Sequence, residues 1–77
     1  MQAFVEFVVK GLVDQPDDVQ VTPVQKSGLT VYELRVAPDD AGKIIGRRGS
    51  TIQALRSLVQ VGAQKRGVRC TLDLVED

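Results

Sequence analysis

The chain has 77 residues, 43% of them hydrophobic and 26% charged, with ten basic residues balancing ten acidic ones. That is the composition of one small domain over 1-77, with no room for a second. There is no histidine and a single cysteine, Cys70, which excludes a disulfide framework and speaks against zinc sites and His-based catalysis.

The N-terminus, Met1-Gln2-Ala3-Phe4-Val5-Glu6, lacks the basic start of a secretory signal, and no apolar run approaches a membrane span. A cytoplasmic protein is therefore expected. Residues 2-13 read as a helix, because Phe4, Val8 and Leu12 fall four apart with Val5, Val9 and Val13 alongside. Burial in the core is the expected fate of Phe4 and Phe7. Asp14-Gln15-Pro16 stops this helix. Val19, Val21 and Val24 mark a first strand, which Pro23 confines to a sheet edge or a bulge. After a turn at Lys26-Ser27-Gly28, Tyr32, Leu34 and Val36 alternate with Glu33 and Arg35 as a half-buried strand.

Pro38 opens a short helix, with Asp39 and Asp40 in its first turn where the dipole favours acids. It ends at Ile44 or Ile45, before Gly46. A longer helix follows, its start marked by the capping-box spacing of Ser50 and Gln53 and its buried stripe by Ile52, Leu55 and Val59. Lys65-Arg66-Gly67 closes it. Val68, Cys70, Leu72 and Leu74 then alternate with polar residues in a last strand, with Cys70 facing inward. Helix, strand, strand, helix, helix, strand predicts an α+β fold, a helical layer on a small sheet.

Charge is unevenly distributed. Positions 1-40 hold three basic and seven acidic residues, a net of 3 − 7 = −4. Positions 41-72 hold seven basic residues (Lys43, Arg47, Arg48, Arg56, Lys65, Arg66, Arg69) and no acid. A local field of this kind steers a polyanion even when the total charge cancels. A dimer contact or a solvated face is the competing explanation.

Inside this block two helices meet at Gly46-Arg47-Arg48-Gly49. The glycines keep side chains out of a ligand's way, the second helix points its free N–H groups at the same spot, and two arginines add charge. A phosphate suits all of these features. G-x-x-G alone is weak, since it arises by chance in roughly a third of chains this long at average glycine usage. Its flanks carry more: two apolar residues before it, two basic residues within it, and an apolar residue three positions after it.

The run Ile44-Ile45-Gly46-Arg47-Arg48-Gly49-Ser50-Thr51-Ile52 resembles the core motif of the KH family, whose clamp is a G-x-x-G loop between two helices. The element order is similar to the type II, prokaryotic arrangement, over essentially the whole chain. The resemblance implies three helices on one face of a three-stranded mixed sheet. It also implies a groove for about four nucleotides of single-stranded RNA. Gly46, Arg47, Arg48 and Gly49 would clamp the backbone, Ile45 and Ile52 would floor the groove, and Lys43 and Ser50 would line its rim. Arg69 is the remaining candidate contact, whereas Ile44, Leu55 and Val59 are expected in the core. The family further implies an RNA chaperone that self-associates or pairs with a KhpB/EloR-type KH protein, acting in cell elongation and division.

The chain lacks the aromatic platforms on which RRM and OB folds stack bases. Its only aromatics are Phe4, Phe7 and Tyr32, all outside the basic half. Affinity is therefore expected to be modest and sequence preference loose. A dimerisation module with a KH fold is the alternative reading. An enzyme is not expected: Gly42-Lys43-Ile44-Ile45-Gly46 lacks the Walker spacing, and no histidine-based set exists. Neither cofactor nor metal is called for.

Overall fold

The computed structural model describes residues 1–75; Glu76 and Asp77, two of the three acids that close the chain, lie outside them. Helix α1 (Gln2–Leu12), strands β1 (Gln20–Lys26) and β2 (Leu29–Arg35), helices α2 (Ala41–Ile45) and α3 (Ser50–Arg66), and strand β3 (Cys70–Leu74) follow in the expected order. Single 3-10 turns at Pro16–Asp18, Pro38–Asp40 and Arg47–Gly49 lead into β1, α2 and α3. Three helices thus pack with a three-stranded mixed sheet, an α+β fold.

The strands lie in the order β1-β2-β3. β1 and β2 form an antiparallel hairpin that pairs Gln20 with Arg35 and Lys26 with Leu29, turning through Ser27 and Gly28, both at positive φ. β3 runs parallel to β2, Thr30 opposite Cys70 and Leu34 opposite Leu74. A parallel neighbour needs a crossover, and α2 with α3 supplies it. Pro23 lies in the edge strand β1, where a missing N–H is tolerated.

Three strand ends are shorter than the alternation predicts, and at the first β1 begins at Gln20, just after Val19. β2 stops at Arg35, so Val36 falls outside it, on the way into the Pro38 turn. Val68 precedes β3 and is exposed, because its N–H closes the end of α3 on the Ala63 carbonyl at 3.0 Å. The Gly67 N–H meets the Gln64 carbonyl at 3.2 Å. This bond pair is a Schellman cap, which takes Val68 for the helix rather than the sheet.

Val5 and Val9 from α1, Val21, Tyr32 and Leu34 from the sheet, Ile44 from α2 and the Ile52-Leu55-Val59-Ala63 stripe of α3 build the core, with Cys70 and Leu72. Ile44, Leu55, Val59 and Cys70 are buried as expected. The phenylalanines are not: Phe4 is 45% exposed and Phe7 79%. The helical period explains the correction. At 100° per residue Phe7 lies about 180° from the midpoint of Val5 and Val9, and Phe4 about 120° from it. The two valines win the sheet-facing side, which leaves the aromatic rings on the other.

Candidate nucleic-acid interface

The loop owes its shape to its backbone. The Gly46 N–H ends α2 on the Gly42 carbonyl at 2.9 Å. Gly46 itself sits at φ 73°, ψ −178°, a region open essentially to glycine alone. Arg48 (φ 58°, ψ 29°) and Gly49 (φ 76°, ψ 11°) are both left-handed. The Gly49 N–H reaches back to the Gly46 carbonyl at 3.3 Å, so the chain reverses between two helices within one tight turn. Arg47 and Arg48 stand exposed on its outside.

α3 starts from this turn with no side-chain cap. Its N-cap is Gly49, and Ser50 already has helical angles (φ −66°, ψ −37°). Its hydroxyl is therefore not placed as an N-cap hydroxyl is, and the expected Ser50–Gln53 capping box does not form. The positive end of the α3 dipole consequently faces the loop without a protein acceptor side chain, next to two guanidinium groups.

The other sequence candidates separate into those near the loop and those away from it. Ile45 is half-buried beside Gly46, and Ser50 is exposed at the start of α3. Ile52 is only 7% exposed and belongs to the core cluster, so it offers a groove little surface. Lys43 is engaged within the protein. Its ammonium pairs with Asp14 and lies 3.7 Å from Asp40. The hydrogen bond to Asp14 holds the Lys43 pKa above its ordinary value, with the charges of Asp14 and Asp40 adding to it. Arg69 stands just before β3, beyond the far end of α3. The 17 residues of α3 span about 25 Å at the helical rise, which puts Arg69 far from the loop. It lines a separate shallow cleft of about 420 Å³ with Gln60, Gln64 and Thr71.

The acid-free block is thus two basic sites rather than one: Arg47 and Arg48 at the start of α3, and Lys65, Arg66 and Arg69 at its end. Arg56 lies between them. Thr30 N–H bonds to the Arg69 carbonyl and Val75 N–H to the Leu34 carbonyl, each at 2.9 Å. The odd-numbered backbone groups of β3 therefore face β2, and the Leu72 carbonyl faces the sheet's free edge. The Nε–H of Arg56 donates to that carbonyl at 2.9 Å. Arg56 thus ties α3 to the open edge of β3. Sequence reading counted Arg56 only as a charge; its place on α3 seven residues after Gly49 was the available signal.

Asp40 was missed in a different way. Its carboxylate is 1% exposed and accepts the N–H groups of Asp14 at 3.2 Å and Gln15 at 3.0 Å. It is therefore a buried staple as well as a helix-start acid.

A family model described as KhpA/KhpB, KH domain, matches residues 2–74. The chain belongs to this KH-domain family. Its curated relatives include the RNA-binding protein KhpA of Chlamydia pneumoniae, 42% identical over 77 residues and covering 100% of this chain and 99% of the relative. The RNA-binding protein KhpA of Halalkalibacterium halodurans is 43% identical over 76 residues (99% and 100%). That of Streptomyces coelicolor is 49% identical over 77 residues (99% and 92%). Gly46-Arg47-Arg48-Gly49 has the G-x-x-G pattern. No helix among the described residues is long and apolar enough to cross a membrane.

Proposed function

We propose that the chain is an RNA-binding module that grips short single-stranded RNA by its backbone at Gly46–Gly49. The observation that carries this reading is the loop itself: two left-handed residues, two exposed arginines and an uncapped helix start converge on one point. Backbone N–H groups, a helix dipole and guanidinium groups together suit a phosphate. Gly46, Arg47, Arg48 and Gly49 form the clamp, with Ile45 and Ser50 flanking it, and the strand continues between α3 and the edge of β3, past Arg56. Such a site reads backbone more than sequence, and this suits a cytoplasmic RNA chaperone of low specificity. The names of the relatives favour RNA as the ligand.

Changing Arg47 and Arg48 together to Asp tests the clamp. Both side chains are exposed, so the variant should fold and melt as the parent does, while recovery of RNA crosslinked to it in cells falls sharply. Unchanged recovery from a folded double variant would sink the reading.

A second reading concerns assembly, and one observation favours it. Phe4, Leu58 and Val61 are all exposed, and they line a surface groove with Met1, Gly62, Lys65 and Arg66 between α1 and the end of α3. Phe7 stands one turn on from Phe4. Single exposed apolar residues are ordinary, but a cluster of this kind on a small domain suits a docking face. A second copy or a KhpB/EloR-type KH protein is the partner we propose, placed so that two weak RNA clamps act together. A role in cell elongation and division would be exerted through that pair.

A further inference from the structure

Asp40 poses a question that the clamp does not answer. A carboxylate taken out of water is costly unless it is hydrogen-bonded and paired. Here both of its oxygens are used: Oδ1 accepts the Asp14 N–H and Oδ2 the Gln15 N–H. The Lys43 ammonium lies 3.7 Å from Oδ1 and pairs with Asp14 on its other side. All of these but the Lys43–Asp40 pair join two segments that the chain order keeps apart. Asp14 and Gln15 follow α1, whereas Asp40 and Lys43 belong to the start of α2. Asp40 stands at the N-cap position of that five-residue helix, its carboxylate turned to the end of α1 rather than to the helix's own N–H groups, and the helix ends directly at Gly46. A short helix gripped at its first residue has little freedom to reorient at its last.

Resting on the RNA-binding reading, we propose that Asp40 is a positioning residue for the clamp. Its carboxylate fixes α2 to the end of α1 and so holds the Gly46–Gly49 loop in its binding pose, without touching RNA. Lys43 shields the clasp from outside, which accounts for a basic residue beside the loop being spent on two carboxylates. Opening the clasp frees α2, and only the clasped population binds well. Apparent affinity then falls by the fraction that stays clasped. The coupling is reciprocal, so bound RNA must in turn hold the clasp shut.

Two measurements test this on the full chain with a short, mixed-sequence, fluorescein-labelled RNA. In the unmodified protein, hydrogen exchange at the Asp14 and Gln15 amides should slow by roughly tenfold when RNA saturates the loop, although neither amide lies at the loop. In Asp40→Asn, whose amide group faces an N–H it cannot accept, RNA binding should weaken by roughly tenfold, read well below the melting temperature. Asp40→Glu should not restore it, because the longer side chain has no room at a 1% exposed position. A purely structural role would lower the melting temperature of Asp40→Asn and leave both readouts unmoved. Unchanged exchange at Asp14 and Gln15 under saturating RNA overturns the proposal even if Asp40→Asn does not fold. An absence of RNA binding by the unmodified protein removes the clamp reading and this one together. Normal binding with unmoved amides removes this one alone.

Discussion

Thr51 packs directly against the α-carbon of Gly46. A Cβ at Gly46 would come within 2.6 Å of the Thr51 Cβ and 2.9 Å of its backbone nitrogen. Gly46 is also at φ 73°, ψ −178°, so an alanine there meets both a steric wall and a forbidden backbone region. Gly49, three residues on, is left-handed but faces open space. The two glycines of the loop are therefore not equivalent. Gly46→Ala should cost about 3 kcal/mol or more, or force the loop to a new shape. Gly49→Ala should cost only about 1–2 kcal/mol, the left-handed penalty of a Cβ. Urea unfolding of the two variants measures the difference, and equal costs would contradict the packing of Thr51.

The element order, the edge position of β1 and the loop between two helices were all legible in the sequence, because each follows from local periodicity or turn chemistry. What was not legible depended on distance through space. The phenylalanines of α1 share its apolar pattern, yet Val5 and Val9 took the buried side, and only a fixed helix phase distinguishes them. Ser50 has the spacing of a cap, but the left-handed Arg48 and Gly49 move the helix start one residue earlier. Lys43 looked free for a ligand because its partner Asp14 is 29 residues away. Asp40 accepts from backbone N–H groups, which carry no sequence signature. The basic block is contiguous in sequence and split by the length of α3.

Salt should report how many arginines the clamp uses. Each phosphate neutralised on a single strand contributes about −0.7 to the slope of log affinity against log salt. Replacing Arg47 and Arg48 with Ala should flatten the slope by about 1.4 if both contact phosphate. Replacing Arg69 with Ala should leave it unchanged, given its place beyond the far end of α3. Fluorescence anisotropy across a salt series checks both. A flatter slope for Arg69→Ala would mean that RNA follows α3 to its end.

Arg56 should act on both stability and binding. Its Nε–H···O bond to Leu72 caps a carbonyl on the open edge of β3, and losing it in Arg56→Ala should cost about 1 kcal/mol. Arg56→Lys should recover little of this, because lysine has a methylene where arginine carries the Nε–H that makes the bond. Chemical unfolding gives the stabilities. Weaker RNA binding by folded Arg56→Ala places the groove along β3, and unchanged binding places the strand elsewhere.

Phe4 and Phe7 separate folding from assembly. Because both are exposed, Phe4→Ser with Phe7→Ser should change unfolding free energy by no more than about 1 kcal/mol. The same change should shift the molecule toward monomer in sedimentation equilibrium if the α1–α3 face is the contact between copies. RNA bound per chain at low concentration should be retained, since the loop is untouched. Self-association of the parent that persists unchanged in the variant would rule this face out.

Alkaline pH should destabilise the protein through two identifiable groups. Burial raises the pKa of the Tyr32 phenol, with Cys70 adding to it, and the hydrogen bond to Asp14 raises that of Lys43. In both cases the folded chain holds its proton to higher pH than the unfolded chain does. Unfolded tyrosine and lysine titrate at about 10 and 10.4. Stability from both groups is therefore complete below about pH 9 and is lost as pH rises through the folded values. Between about pH 6 and 9 neither group contributes a slope. Unfolding free energies measured from about pH 8 to 11 should fall for the unmodified protein, and fall less for Tyr32→Phe and for Lys43→Met. Phenolate absorbance should appear at higher pH in the folded chain than in the unfolded one, because burial raises the Tyr32 pKa. A native-state phenol that titrates no later than the unfolded one would contradict the burial of Tyr32.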